Sequence, residues 1–101
     1  VSTRKRALSM PDVPTADEQG FKGYDANTNG GFLAPAGTPK SVIVRLNTEI
    51  NAVLKMPDVR AKLEAAGIDI QGGTPQAYAA LIKSDLAKWG KVIKEAGIPA
   101  E

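Results

Sequence analysis

The sequence predicts a small α/β protein dominated by helix: three main helices, two or three short strands, and too little strand to complete a sheet of its own. Three observations lead there. Apolar residues recur with helical period after two Thr-Pro pairs, at residues 38–39 and 74–75. The strand-like runs are brief, at 32–34 and 68–70, whereas an independent sheet needs three or more strands with a shared apolar face. Gly20, Gly67 and Gly97 each stand just past a helical stretch, where a left-handed residue ends a helix. A chain of 101 residues, 43% hydrophobic and 24% charged, has globular composition and room for one small core.

Residues 1–10, VSTRKRALSM, begin with strand-compatible residues and then carry three consecutive cations, Arg4, Lys5 and Arg6. They read as the tail of a segment that began earlier, with the cations on a solvated loop. The start at Val1 rather than Met is that of a processed or shortened chain. Thr15 and Glu18 then stand at capping-box spacing, which predicts a short helix over 16–19, closed by Gly20. Asp17 and Glu18 suit the dipole of its first turn, and adjacent residues on a helix do not face one another, so they are not a paired-carboxylate site.

Residues 24–31, YDANTNGG, are polar and rich in turn formers. Asn and Thr side chains beside glycine-exposed backbone N–H groups also suit a carboxylate, because they bind it without adding charge. The apolar run 32–34 follows as a strand that Pro35 ends. Thr38 is then expected as the N-cap of a helix over 39–54, with Pro39 at its first position. Its apolar face is Val42, Ile43, Leu46, Ile50, Val53 and Leu54, and its wet face is Arg45, Asn47, Thr48 and Asn51. Pro57 stops that pattern and starts a helix over 57–66, with Val59, Leu63 and Ala66 inward. Strand 68–70 and the turn 71–73 lead to Thr74-Pro75 and a last helix over 75–96. That helix aligns Tyr78, Leu81, Ile82, Leu86, Trp89, Val92 and Ile93, which makes Trp89 a core or interface residue.

The composition excludes several functions. With no Cys and no His, thiol and imidazole chemistry are absent, and with them most zinc sites and the serine and cysteine triads. An enzyme would have to use Asp, Glu, Lys or Tyr, and no such pair is suitably placed, so the chain reads as non-catalytic, without cofactor or metal. The glycine-rich spots NTNGG and QGGTP lack the Lys or the third Gly of the phosphate-binding fingerprints. A net charge of +2, with no aromatics interleaved among the cations, argues against nucleic acid. No apolar run reaches the roughly 18 residues of a membrane span.

Seven motifs occur in order: MPDVPT at 10–15, a following acidic helix ending in Gly20, FLAPAGTP at 32–39, RLNTEIN at 45–51, PDVRAKLEAAG at 57–67, GGTP at 72–75 and KWGKVIKEAGI at 88–98. Together they resemble the C-terminal third of Bug-type solute receptors, the periplasmic binding proteins of tripartite tricarboxylate transporters. The resemblance implies the C-terminal portion of a type II periplasmic-binding-protein fold. In it, 1–31 would be an inter-lobe return segment and loop, and 32–101 the strand and helices of one lobe, together a single C-terminal fragment of a two-lobed protein. It also implies a periplasmic receptor that takes up a small carboxylate or amino-acid-like solute in an inter-lobe cleft and hands it to membrane transporter subunits. Thr15, Thr28, Asn29 and Gly30 are the ligand-binding residues suggested by loop chemistry and by position within the resemblance. Members usually carry aromatic residues where this chain has Thr28-Asn29-Gly30-Gly31, so its pocket wall would be more polar. The helices would keep apolar faces open for the missing N-terminal part of the receptor or for a second copy of the chain. The alternative is a helical protein-protein interaction or self-associating module with no small-molecule ligand.

Overall fold

The computed structural model describes residues 1–99. It contains α1 (Lys40–Leu54), α2 (Pro57–Ala65) and α3 (Pro75–Glu95), with α2 packed on α1. The three main helices therefore form where the patterning places them, to within a residue at each end. The strands do not. No strand occurs among the described residues, and both 32–34 and 68–70 are irregular. A strand exists only when its backbone groups meet a ladder partner, and here Phe32 and Leu33 remain 82% and 76% exposed. One fragment of ladder does form. The nitrogen of Val1 donates to the Pro14 carbonyl at 2.6 Å and Ala16 N–H donates to the Val1 carbonyl at 2.9 Å, the pattern of a parallel bridge.

The turn over 16–20 is a single unextended helical turn rather than a helix. Both halves of its capping box are made: Thr15 N–H donates to Glu18 Oε2 at 2.7 Å, and Glu18 N–H donates to Thr15 Oγ1 at 3.1 Å. Gly20, at φ +102°, then stops the turn, because Gly20 N–H bonds back to Asp17 and Phe21 N–H to Ala16. The same closure ends α2 at Gly67 and α3 at Gly97.

The two Thr-Pro starts part company. Thr74 caps α3 as expected, its Oγ1 accepting from Ala77 N–H at 3.1 Å, with Pro75 in the first turn. Thr38 does not cap α1. Its hydroxyl donates instead to the Pro35 carbonyl at 2.8 Å, inside a turn that Gly37 makes at φ +82°, and Pro39 takes the cap position without a side-chain bond. The wet face of α1 is also corrected, because Asn47 and Asn51 are half-buried. Asn51 Nδ2 donates to the Gly73 carbonyl at 2.8 Å while its Oδ1 accepts from Gly73 N–H at 2.8 Å, and Asn47 Nδ2 reaches the same carbonyl at 2.9 Å. This clamp fixes the loop that launches α3.

No hydrophobic residue among those described is buried, and Thr15, at 2% exposure, is the one buried residue. Leu46 on α1 and Leu86, Trp89 and Ile93 on α3 stay open to solvent. The radius of gyration is 16.7 Å, against about 13 Å for a compact domain of this length. The three helices enclose no hydrophobic core of their own among the described residues.

Candidate functional site

Residues 25–31 run along α3 as an extended polar strip. Lys88 Nζ donates to the Asp25 carbonyl, and Asn29 Nδ2 donates to Asp85 Oδ2 at 3.0 Å. A Cβ placed on Gly31 would lie 2.5 Å from the Tyr78 ring, so any larger residue there would push the end of the Tyr78 side chain aside. The strip thus descends the helix from Lys88 through Asp85 to Tyr78. The nomination of Asp85, Lys88 and Tyr78 was beyond sequence reasoning, since Asn29 and Asp85 are 56 residues apart.

Two hollows flank this strip. One lies along α3 and is lined by Asn29, Tyr78, Leu81, Asp85, Leu86 and Trp89, a largely apolar groove with two polar groups at one edge. The other is lined by Val1, Pro14, Thr15, Gln19, Phe21 and Tyr24. The structure therefore places Asn29 and Thr15 in separate hollows. Thr28 and Gly30 are exposed on either side of Asn29, and a Cβ on Gly30 would meet nothing within 4 Å. A Cβ on Gly90 of α3 likewise meets nothing within 4 Å.

The electrostatics concentrate beside the second hollow. Arg6 grips Glu18 with Nε at 3.0 Å from Oε2 and an η nitrogen at 3.0 Å from Oε1. That guanidinium, followed by the Thr15 N–H bond, holds the Glu18 carboxyl down at about 2. Asp17 is lowered chiefly by the Gly23 N–H that it accepts at 2.6 Å. Arg4 thus belongs to a loop beside Asp25 at 3.7 Å, while Arg6 has a fixed structural partner. One oxygen of Asp25, Oδ1, is buried without a hydrogen-bond partner. No group of three acidic residues is placed to hold a metal among the described residues, and no described helix is long and apolar enough to cross a membrane.

Polar side chains and open glycine N–H groups beside an apolar groove can hold a small polar solute by hydrogen bonds from one side. A family model described as the tripartite tricarboxylate transporter family receptor matches residues 1–98. A protein from the tcbD–tcbE intergenic region of Pseudomonas sp. is 43% identical over 94% of the chain, and protein BugT of Bordetella pertussis is 32% identical over 91%. The chain spans 29% and 28% of those two relatives' own lengths. Among solved structures, periplasmic binding protein BugD superposes with a TM-score of 0.82 at 31% identity, covering 99% of this chain and 34% of that one. An R. palustris protein solved with adipate gives 0.73 at 32% identity, covering 95% of this chain and 32% of that one.

Proposed function

This chain belongs to the tripartite tricarboxylate transporter receptor family, and from that membership we propose that it forms one wall of a non-catalytic periplasmic receptor for a small carboxylate. The observation that carries the reading is the match to the receptor family over residues 1–98. The neighbour solved with adipate makes a linear dicarboxylate the first solute class to try. The open face agrees with this role. A receptor cleft closes from two sides, and here the apolar groove and polar strip are exposed as one side alone. Thr28, Asn29 and Gly30 would present hydroxyl, amide and backbone N–H donors to the solute, with Thr15 bordering them from the adjoining hollow. The remainder of the receptor would cover the apolar faces, and membrane transporter subunits would receive the solute.

Calorimetric titration of the full receptor carrying this chain with adipate, malate, citrate, aspartate and glutamate tests the proposal. The expected result is saturable binding of at least one of them, weakened about fivefold by Asn29→Ala or Thr28→Ala, the equivalent of one hydrogen bond of about 1 kcal/mol. A receptor that binds none of these solutes and instead self-associates through α1 and α3 would overturn it in favour of an interaction module.

A further inference from the structure

We propose that the Asn29-Gly30 pair is a self-modification site: Asn29 deamidates in the folded chain, and the carboxylate so formed breaks the contact of the polar strip with Asp85. Four asparagines occur, at 27, 29, 47 and 51, and only Asn29 precedes glycine. The reaction requires the nitrogen of the following residue to reach the asparagine side-chain carbonyl carbon, and a side chain on that residue obstructs the approach. Gly30 has none, its surroundings are open to 4 Å, and its N–H makes no hydrogen bond among the described residues. The other three are hindered. Asn27 precedes the β-branched Thr28, whereas Asn47 and Asn51 lie inside α1, where the helical backbone cannot turn toward the side chain.

In the step itself, the Gly30 nitrogen forms a bond to Asn29 Cγ and loses its proton to solvent base. The Cγ–Nδ2 bond breaks as the leaving nitrogen takes a proton from solvent acid and departs as ammonia, and a succinimide ring is left. Water then opens the ring at one carbonyl or the other, leaving an aspartyl or isoaspartyl residue at position 29. Neither oxidant nor reductant is needed. The consequence follows from the geometry, because Asn29 Nδ2 now donates to Asp85 Oδ2 at 3.0 Å. Replacing that donor by a carboxylate sets two like charges against each other where a hydrogen bond stood. The strip stays anchored at Gly31 against Tyr78 and at Asp25 against Lys88, so the release is local to the groove edge.

Incubation of the full receptor carrying this chain in mildly alkaline buffer, followed by peptide mapping and isoaspartyl detection, reads the modification directly and without any solute. The expected result is the mass gain of one amide-to-acid exchange at Asn29, severalfold faster than at Asn27, Asn47 or Asn51 and severalfold slower in Gly30→Ala, a substitution the open space accommodates. Amide resonances of α3 around Asp85 should shift in Asn29→Asp and return toward the parent in Asn29→Asp/Asp85→Asn. Modification of Asn29 only in urea, with the folded chain protected, would overturn the proposal. So would an Asn29→Asp variant whose α3 resonances do not move. Failure here leaves the receptor reading intact, since no readout depends on solute.

Discussion

Thr15 illustrates how one side chain organises a short segment. It is buried at 2% exposure, and it shares two reciprocal hydrogen bonds with Glu18, whose carboxylate Arg6 holds from the other side. Thr15→Ala removes the acceptor of the Glu18 N–H and is expected to cost about 1 kcal/mol, read as roughly fivefold faster hydrogen exchange of that amide; Thr15→Ser should restore protection. Glu18 supplies the pH dependence. Its carboxyl is depressed from 4.5 to about 2, so its contribution to stability is complete above the unfolded value and is lost as pH falls through the folded one. An NMR titration of the Glu18 carboxyl carbon should therefore show a midpoint near 2 that moves up toward 4.5 in Arg6→Gln. The capping box was legible from spacing alone because both partners lie within one turn. Arg6 was not, since its partner is 12 residues away and three adjacent cations read as solvated.

At the scale of the element, helix ends obey local rules until a competing bond is closer. Gly67 and Gly97 close α2 and α3 at positive φ as their positions require. Thr38 fails as a cap because the turn before it brings the Pro35 carbonyl within 2.8 Å of its hydroxyl. The RLNTEIN and GGTP motifs turn out to be two halves of one device, the clamp of Asn47 and Asn51 on Gly73. Asn51→Ala deletes a donor and an acceptor at once and leaves Gly73 N–H unpaired. The expected loss is about 1–2 kcal/mol of local stability, seen as faster exchange of the Gly73 and Ala77 amides while the middle of α3 is unaffected. The Gly72 φ of +64°, with Asn51 Oδ1 only 2.8 Å from a Cβ built there, and the Gly73 φ of +124° explain why two glycines precede Thr74.

The molecule as a whole presents more apolar surface than a protein of this composition ordinarily leaves open. Leu86 is 71% exposed on α3, and the three helices share no buried hydrophobic residue among those described. A dye that fluoresces on apolar surface, such as ANS, should bind the isolated chain strongly and the full receptor weakly. Scanning calorimetry should give a broad, low transition for the isolated chain, because cooperative unfolding draws its heat-capacity change from buried apolar area. A sharp transition with no dye binding would show that the chain buries these faces against itself.

Helix positions, their glycine stops, the Thr15–Glu18 box and the family resemblance were all legible in residue order, because each depends on neighbours within one turn or on motif order along the chain. Tertiary structure alone decided that residues 32–34 and 68–70 are not strands, that Thr38 is no cap, that Asn47 and Asn51 hold Gly73, and that Asn29 sits against Asp85 while Thr15 lines another hollow. These outcomes depend on which distant groups come within hydrogen-bond reach. Hydrophobic period and capping chemistry do not encode such pairings.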